Sequence, residues 1–486
     1  MIPTSAPGPA DKFVRTLFLN PPSYAGFDGG AGARYQARRE VRSFWYPTWL
    51  AQPAALVPGS RLVDAPARGL SLADVLVLAR DYDLVVMHTS TPSFPSDVRV
   101  AEHLKADNPD RRVGFVGAHV AVSPEESLRA SRSIDFVARK EFDYTVRDVA
   151  RGLPYSRIDG LSYRDGSLIV HRPERAVIEN MDDLPFVTDV YARDLVIEDY
   201  FIGYLLHPYV SLYTGRGCRS FCSFCLWPQT IGGHRYRTRS AAHVEAEIAS
   251  ARERMPQVKE WFFDDDTFTD DEPRARDIAR RMGKLGVTWS CNAKPIVSRA
   301  TLAEMKENGL RLLLVGYESG NQKILNNIRK GVRLDIARRF SEDCRQLGIL
   351  IHGTFIVGLP GETTDTIEET VRFARQINPH TIQVSLAAPY RGTELYRQAI
   401  ENGWLSAEND RLVGDDGIQV STLSYPNLSS GDIARAMERF YKRFYLRPRK
   451  IAEMVQEMVA TPGMTRRRLR EGAEFFRFLS ERKAQT

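Results

Sequence analysis

The chain has 486 residues, 43% of them hydrophobic and 26% charged, with a net charge of +6. This composition is typical of a globular protein and excludes disorder, collagen and coiled coil, and at roughly 100–200 residues per domain the length predicts two to four domains. No apolar run reaches the roughly 20 residues of a membrane-spanning helix, and the first residues lack the basic and apolar regions of a signal peptide. We therefore expect a cytoplasmic protein whose five cysteines are thiols rather than disulfides.

Short apolar runs alternate with helical segments in the first third of the chain. After a leader at residues 1–13, strand-like runs lie at 16–19, 61–64, 84–88, 112–116 and 134–138. Apolar runs without alternation are typical of parallel strands that are covered on both faces. We predict a doubly wound, Rossmann-like or flavodoxin-like α/β domain over residues 14–152, with ligands at the carboxyl ends of its strands.

Residues 153–203 interrupt this alternation. Asp165 and Gly166 separate two strand-like runs, which is a hairpin signal, and Pro185 follows in a polar segment. We predict that this stretch is a linker that contains a hairpin.

A second alternating region begins near residue 204. Its strand-like runs lie at 210–213, 260–263, 287–291, 311–317, 350–357 and 381–386. Six such units in about 190 residues fit a partial (β/α)6 barrel better than a closed eight-fold barrel, which needs about 250 residues. We predict a barrel over residues 204–394 and a helical, basic region over 395–486. Chemistry in barrels of this kind lies at the carboxyl ends of the strands.

Three cysteines follow the first barrel strand at a spacing that indicates a metal cluster. Cys218, Cys222 and Cys225 form a CxxxCxxC array. Structural zinc takes four ligands, commonly as paired CxxC or Cys and His units, and the sequence offers no second pair. Thiolates hold iron–sulfur clusters, and a four-iron cubane with three cysteine ligands keeps one iron open. We predict a [4Fe–4S] cluster, with zinc as the alternative.

The array, with Phe224 just before the third cysteine, resembles the radical S-adenosylmethionine (SAM) superfamily. The resemblance implies that the open iron binds SAM and passes it one electron, which comes from a donor such as flavodoxin or ferredoxin. It implies cleavage to methionine and a 5′-deoxyadenosyl radical that abstracts hydrogen from a substrate carbon. The cluster then supplies the chemistry, while the barrel orients the reactants and excludes water.

The end of the second barrel strand adds to this resemblance. Asp264, Asp265 and Asp266 are similar to the acidic segment that receives the SAM ammonium group in many relatives. An acidic helix cap ahead of Asp270 is the alternative.

Two later strand ends are also similar to the family. Glu318 and Ser319 end the fourth strand, where relatives contact the SAM ribose through a Glu. Gly358 follows the fifth strand, where glycine permits a close approach of the backbone to a cofactor. Cys291 and Cys344 match no motif and are predicted to be buried, unreactive thiols, although Cys291 ends the third strand and its alternative is to face the cavity.

A doubly wound domain ahead of such a barrel is similar to the cobalamin-binding subclass of the superfamily, and so is the segment 117–126. The usual lower axial histidine of cobalamin lies in a DxHxxG motif, and this sequence has no such motif. We expect His88 and His119 to be polar residues at strand ends rather than cobalt ligands. Bound cobalamin and methyl transfer stay open as alternatives.

Over nearly the full chain, the similarity is greatest to hopanoid-biosynthesis radical SAM proteins of the bacteriohopanetetrol cyclitol ether synthase type. The segments 20–23, 44–54 and 216–240 carry this resemblance. It implies that the glucosaminyl headgroup of a hopanoid glycolipid is rearranged into a cyclitol ether after hydrogen abstraction.

The positive charge lies in the tail, where twelve Lys and Arg face five Glu from Lys442 onward. Apolar residues lie among arginines over 465–483, which suits a helix on an anionic membrane surface. A packed terminal helix with a solvated basic face is the alternative. Radical SAM enzymes that modify tRNA commonly add a second cysteine set or a small β-barrel, and the sequence contains neither, so no nucleic-acid partner is expected.

Two further functions stay open. The first is a cobalamin-dependent radical SAM methylase of another small molecule or lipid. The second is a non-catalytic membrane or nucleic-acid module whose cysteines bind zinc.

Overall fold

The computed structural model describes residues 13–22, 41, 43–405, 411–414, 418–460, 469, 470, 472–474 and 477. Residues 1–12 of the predicted leader and most of the predicted tail helix at 465–483 lie outside these residues. Within the described part the fold class is the predicted one: a doubly wound α/β domain with a seven-stranded sheet precedes a partial barrel of six parallel strands. Among the described helices, none is long and apolar enough to cross a bilayer.

The N-terminal sheet has the strand order β2-β1-β3-β4-β5-β6-β7. Its strands are β1 (Thr16–Asn20), β2 (Arg61–Asp64), β3 (Leu84–His88), β4 (Arg112–Val116), β5 (Phe136–Ala138), β6 (Leu161–Asp165) and β7 (Leu168–His171). The helices of this part are α1 (Thr48–Ala55), α2 (Ala65–Arg68), α3 (Leu72–Ala79), α4 (Phe94–Asp107), α5 (Ala118–Val122), α6 (Pro124–Ala130), α7 (Asp143–Ala150) and α8 (Val187–Asp194). Strands β1 to β5 are parallel, and β6 and β7 are antiparallel.

Alternate residues of β1 pack into two different hydrophobic cores. Phe18 belongs to the core that continues into the barrel, whereas Leu17 and Leu19 belong to the core on the other face. All three side chains are fully buried. Both faces of the strand are therefore covered, which explains why its sequence is apolar without alternation.

The hairpin that was predicted within a linker belongs to the N-terminal sheet. Strand β6 pairs with β5, with Tyr163 opposite Phe136, and the side chains of Leu161 and Tyr163 are buried. The prediction of a linker from residue 153 is therefore wrong for the hairpin, and the sheet extends to His171. The turn signal at Asp165 was correct, but the strand with which a hairpin pairs is decided by tertiary packing, which a local pattern does not contain.

The barrel sheet has the strand order β15-β14-β13-β12-β11-β8, and all its pairs are parallel. Its strands are β8 (Tyr209–Leu212), β11 (Glu260–Phe263), β12 (Trp289–Ala293), β13 (Leu310–Glu318), β14 (Leu350–Val357) and β15 (Thr381–Leu386), and the short strands β9 (Gly215–Arg216) and β10 (Arg237–Thr238) pair beside it. The helices that follow α8 are α9 (Ala241–Arg254), α10 (Glu272–Leu285), α11 (Arg299–Glu307), α12 (Gln322–Asn327), α13 (Leu334–Gln346), α14 (Thr364–Ile377), α15 (Glu394–Glu401), α16 (Ser430–Tyr445) and α17 (Pro448–Ala460).

Strand β12 begins and ends two residues later than predicted, so that Cys291 lies in its middle. The Cys291 side chain is fully buried in the core, and Asn292, on the opposite face of the strand, lines the cavity described below. Cys344 on α13 is also fully buried. Both thiols are therefore buried as predicted, and the alternative that Cys291 faces the cavity is wrong.

Helix α16 covers the outer edge of the barrel sheet. The hydroxyl oxygens of Tyr441 and Tyr445 accept hydrogen bonds from the amides of Val384 at 2.8 Å and Ile382 at 2.9 Å. These amides belong to β15, an edge strand whose backbone would otherwise need other partners. The described part of the predicted helical C-terminal region therefore completes the barrel.

Candidate functional site

A cavity of about 400 Å³ lies between the carboxyl ends of the two sheets. The N-terminal domain lines it with Asn20 at the end of β1 and with residues 88–91 after β3. The barrel lines it with residues at the ends of β11, β12 and β13, and all three cysteines of the array lie in its wall. Both kinds of sheet bind ligands at these ends, so the structure brings the two predicted ligand regions together.

The three cysteines lie on a loop over residues 217–225, here called the cysteine loop. It leaves β9 at Gly217, whose φ is +88°. A Cβ atom at this position would overlap the carbonyl oxygen of Arg235. The next residue, Cys218, donates its amide to the carbonyl of Gly233 at 3.2 Å. Only glycine permits both this conformation and this close approach.

Gln229 holds the second half of the cysteine loop. Its Nε2 donates to the carbonyl oxygens of Cys222 at 3.2 Å and Cys225 at 2.7 Å, and its Oε1 accepts the amide of Glu394 at 2.8 Å. One side-chain amide thus ties the loop to the start of α15. Sequence reasoning missed Gln229; the available signal was an amide side chain four residues after the last cysteine of the array.

The three thiols lie close enough to influence one another's ionisation. Burial raises the pKa of Cys222, and it raises the pKa of Cys225 well above its usual value, with Asp266 and the other two thiols adding to the shift. Neighbouring buried thiolates need a cation, and a bound metal deprotonates a coordinating thiol outright.

Three thiols in one cavity wall are a donor set that fits an iron–sulfur cluster. Within the described ranges, no group of three His, Cys, Asp or Glu side chains converges as the ligands of a single ion do. The thiolates of a cubane each bind a different iron and therefore need no such convergence. Cys218, Cys222 and Cys225 share one cavity wall, as a cluster that bridges them would require.

Two of the three predicted aspartates, Asp264 and Asp266, line the cavity. Asp265 instead accepts hydrogen bonds from the hydroxyls of Thr214 at 2.6 Å and Tyr236 at 2.7 Å. Its predicted place at the cofactor is wrong, because it packs into the barrel wall with no exposed surface. Burial raises the pKa of Asp266 to about 6 and that of Asp264 well above its usual value, so a cationic ligand would favour their charged forms.

Glu318 lies in the cavity wall beside a lysine that sequence reasoning missed. The Nζ atom of Lys330 donates to Oε1 of Glu318 at 2.7 Å, and both residues line the cavity. The backbone of Glu318 has a φ of +61°, and β13 changes register between Gly316 and Glu318. Strained backbone of this kind in a non-glycine residue is typical of functional sites. Although burial opposes it, Glu318 and then Cys222 raise the pKa of Lys330, which keeps the lysine charged.

Ser319 and Gly358 lie behind the cavity wall rather than in it. The hydroxyl of Ser319 lies 3.2 Å from that of Thr370 on α14, and Ser319 has no exposed surface. At Gly358, with φ of +87°, an added Cβ would lie 2.8 Å from the side chain of Ile433 on α16. The side chain of Ile433 on α16 therefore makes a close approach to this glycine, and contact of Gly358 with a cofactor stays a prediction.

The end of β12 contributes two polar residues that the sequence analysis did not single out. Asn292 and Lys294 both line the cavity. Nδ2 of Asn292 donates to Oδ1 of Asp264 at 3.1 Å, and Nζ of Lys294 lies 2.6 Å from Oδ1 of Asp270. Asp270 is thus an ion-pair partner, and the cap of α10 is Asp271 rather than the acidic segment 264–266. The available signal for Asn292 and Lys294 was their position at a strand end, where only acidic motifs were considered.

Aromatic side chains form the rest of the wall around the cysteine loop. Trp49 on α1 stacks on Trp227, two residues after Cys225, with ring centroids 5.3 Å apart. Both tryptophans and Phe224 line the cavity, and Phe224 also packs against a hydrophobic cluster that includes Leu359. Phe224 therefore lies in the cavity wall, and its contact with SAM, which the resemblance to the family implies, stays a prediction.

The two histidines of the N-terminal domain occupy different places. His88 lines the cavity, whereas His119 packs against Phe94, with ring centroids 4.4 Å apart, and its Nδ1 lies 3.3 Å from Oγ1 of Thr91. Burial lowers the pKa of His119 to about 4, so that its ring is neutral near pH 7. Sequence reasoning placed both at strand ends; His88 ends β3 as predicted, whereas His119 lies on α5, three residues after the end of β4.

Known proteins resemble this chain both in the barrel and over nearly its full length. Residues 212–374 match the Radical SAM superfamily. An uncharacterized methyltransferase of Pyrococcus horikoshii is 28% identical over 464 residues, which cover 92% of this chain and 95% of that protein. The cytidylyl-2-hydroxyethylphosphonate methyltransferase of Streptomyces wedmorensis is 28% identical over 428 residues, with 78% of each chain covered.

Solved structures share the fold at low sequence identity. The cobalamin-dependent SAM radical enzyme OxsB, with aqua-cobalamin and SAM bound, has a TM-score of 0.70 at 14% identity and covers 95% of this chain and 72% of its own. The radical SAM methyltransferase TsrM of Kitasatospora setae has a TM-score of 0.61 at 16% identity, with 81% and 77% covered. Together with the barrel and its cysteine loop, the match identifies residues 212–374 as a radical SAM domain.

Proposed function

We propose that this protein is a cobalamin-dependent radical SAM methylase. The observation that carries the proposal is the cavity, because the cysteine loop and the strand ends of the doubly wound domain line the same space. A methyl carrier on the N-terminal domain and a SAM molecule at the barrel would therefore lie next to each other. The methyltransferases that are 28% identical to the chain support the same reaction class.

Cys218, Cys222 and Cys225 would hold a [4Fe–4S] cluster, and the cavity side chains next to them are suited to SAM. Asp264 and Asp266 present carboxylates to its cationic groups, while Lys330 and Lys294 present ammonium groups to its carboxylate. Glu318, held by Lys330, is an acceptor for ribose hydroxyls. When bound, the cluster supplies the electron that cleaves SAM reductively.

The wall on the N-terminal side suits a flat corrinoid. The lining side chains after β3 and β4 are short, namely Thr89, Ser90, Thr91 and Ala118, whereas Trp45, Tyr46 and Trp49 line the cavity from α1 and the segment before it, and Trp227 and Tyr390 line it from the barrel side. The backbone at Gly117, with φ of +120°, packs against the carbonyl of Thr89, which leaves no room for a side chain. Because the DxHxxG motif is absent, we propose binding without the lower axial histidine that this motif provides.

The function is tested by reconstituting the full chain without oxygen and supplying hydroxocobalamin, SAM with a labelled methyl group, and reductant. We expect about four irons with matching sulfide per chain, about one corrinoid, and release of 5′-deoxyadenosine and S-adenosylhomocysteine when an acceptor is present. Zinc without iron would support the non-catalytic module instead and would contradict the proposal.

The hopanoid reaction predicted from the sequence is the competing outcome of this test. Glucosaminyl bacteriohopanetetrol is included as one of the acceptors. If deoxyadenosine is released, the lipid is rearranged and the product carries no labelled methyl, the reaction is the cyclitol ether rearrangement and not methyl transfer. Labelled methyl in a product would support the methylase. Contact of the basic tail with a membrane stays a separate prediction.

A further inference from the structure

The cysteine loop exposes an aromatic side chain on its outer side. Phe221 lies between Cys218 and Cys222, and 60% of its surface is exposed although the flanking cysteines are buried. Its ring stacks on His234, with centroids 4.2 Å apart and an angle of 18° between the planes. Nδ1 of His234 in turn lies 2.9 Å from the carbonyl oxygen of Ser220, so this exposed pair is fixed on the loop.

Arginines border this pair. Arg219 is exposed and donates to the backbone carbonyl of Asp270 at 3.3 Å. Arg235 follows His234 directly and pairs with Glu179. Arg329 is exposed and follows Ile328, whose backbone carbonyl accepts the amide of Ser223 at 3.0 Å, so that the backbone before Arg329 lies beside the loop. We call the surface formed by Arg219, Phe221, His234, Arg235 and Arg329 the loop face.

The carboxylates near the loop face hold these arginines weakly. Glu394 lies 3.9 Å from Arg329 but 2.5 Å from Arg397. Glu179, the partner of Arg235, is largely exposed, and exposed ion pairs are readily exchanged for others. The loop face therefore offers cations to an acidic partner.

The position of the loop face suits electron entry. Consecutive Cα atoms are about 3.8 Å apart, so a partner that touches Phe221 lies next to the cluster ligand Cys222. On its inner side, the loop lines the cavity that the proposed function fills with SAM, corrinoid and substrate.

We propose that the loop face is the docking site of the electron donor, a small acidic one-electron carrier of the flavodoxin class. This inference rests on the proposed function, because it assumes a cluster at the three cysteines. In the transfer, the carrier loses one electron and the cluster gains it, and no covalent bond forms or breaks. A central aromatic residue and arginines are the residues that most often dominate binding at interfaces, and opposite charges speed association at low salt.

The test compares two reductants on the same variants of the full chain. Flavodoxin, reduced by its reductase and NADPH, needs a docking site, whereas dithionite, a small ion, does not. We expect F221A and the double variant R219E/R329E to raise the KM for flavodoxin by about tenfold, as loss of electrostatic steering and of an aromatic anchor predicts. Their rate of deoxyadenosine release with dithionite should stay within about twofold of the unaltered protein.

Matched controls lie on or next to α3 of the N-terminal domain. Val77 is 58% exposed and Arg80 is largely exposed. V77A therefore truncates an exposed apolar side chain and R80E reverses an exposed positive charge, both at positions far from the loop in the sequence. Both should leave the KM for flavodoxin unchanged. The flavodoxin KM of the unaltered protein should also rise with salt, and that of R219E/R329E should rise less.

Three other results would overturn the docking site. An unchanged flavodoxin KM in both loop-face variants would overturn the docking site. An equal loss of deoxyadenosine release with flavodoxin and with dithionite would also overturn it, because that result would show that these residues support the structure of the loop. If the unaltered protein releases no deoxyadenosine with either reductant, the proposed function fails and the docking site fails with it.

Discussion

Arg216 and Asp143 form a two-pronged ion pair that joins the barrel side of the molecule to the N-terminal domain. Nη1 and Nη2 of Arg216 lie 2.6 Å and 3.0 Å from the two carboxylate oxygens of Asp143, and both side chains are at most 3% exposed. Arg216 precedes Cys218 by two residues, so this pair fixes the point where the cysteine loop begins. Its guanidinium also lies 5.2 Å from the ring centre of Trp49.

A second buried arginine lies beside Arg216, and the repulsion between the two is offset by acidic residues. Arg237 on β10 lies directly opposite Arg216 on β9, and like charges that face each other across strands are destabilising. Glu141 binds Arg237 at 2.8 Å and lies 3.3 Å from Arg216. Two buried arginines are thus balanced by two buried carboxylates of the N-terminal domain.

We expect the Asp143→Asn variant to destabilise the protein by about 3–5 kcal/mol, because it leaves a buried guanidinium without its charged partner. Urea denaturation followed by tryptophan fluorescence measures the loss. The matched control is Asp83→Asn, which breaks the exposed pair with Arg15 and should have little effect. A variant at position 143 as stable as the control would contradict the role assigned to the ion pair.

Replacing Gly217 should prevent the cysteine loop from closing. Ala at this position needs a φ of +88° and places a Cβ on the carbonyl oxygen of Arg235. We expect Gly217→Ala to lower the iron content after reconstitution by several-fold. Gly286→Ala is the control: Gly286 ends α10 with a φ of +65° and a ψ of 32°, and nothing lies within 4 Å of an added Cβ, so it should cost only the roughly 1–2 kcal/mol of left-handed backbone. Equal iron contents in the two variants would refute the steric argument.

Each of Cys218, Cys222 and Cys225, when changed to Ala, should abolish SAM cleavage and leave the far-UV circular dichroism unchanged. The reason is that a cubane bound by two thiolates is no longer held in the geometry that leaves one iron for SAM. Cys344→Ala, at a buried thiol on α13, controls for loss of a sulfur atom and should keep its activity. Full activity in any of the three loop variants would exclude a cluster bound by these cysteines.

We expect the protein to be less stable in mild acid than at pH 7 because of the lowered pKa of His119. Its pKa is about 4 in the folded chain because burial disfavours the charged ring, whereas an exposed histidine has a pKa near 6.5. Between pH 6.5 and pH 4 the unfolded chain therefore binds a proton that the folded chain does not, and stability falls as the pH falls through this window. At 1.36 kcal/mol per pKa unit, the loss is roughly 3 kcal/mol.

Chemical denaturation at pH 7 and pH 4.5 measures this loss. His119→Gln removes the titrating group and should show a smaller drop between the two values than the unaltered protein. His103→Gln, at an exposed position, should show the unaltered drop. If the drop in His119→Gln equals that of the unaltered protein, His119 is not the group responsible.

The sequence predicted the barrel better than it predicted the contents of the site. All six barrel strands were found within two residues of their predicted bounds, because each is a short segment rich in buried residues between helical segments. The cysteine array was recognised because its spacing is local. Lys330 and the Arg216–Asp143 pair were missed because their partners lie 12 and 73 residues away in the chain, where no pattern in the sequence connects them. Gln229 was missed although Cys225 is four residues away, and its other partner, Glu394, lies 165 residues away.

The same limit explains the errors at the strand ends. Asp264, Asp265 and Asp266 are alike in sequence, but the alternation of side chains after β11 turns Asp265 toward Thr214. Gly358 was assigned to a cofactor because glycine permits close approach, and the structure shows that Ile433 approaches it closely. The comparisons favour the methylase alternative over the hopanoid rearrangement that the sequence analysis placed first.

The most direct test of the central claim is the electron paramagnetic resonance spectrum of the reconstituted, dithionite-reduced protein with and without SAM. The account predicts the signal of a reduced [4Fe–4S] cluster whose shape changes when SAM binds to the iron that the three cysteines leave open. A protein without such a signal, or one whose signal is the same after saturation with SAM, would contradict it.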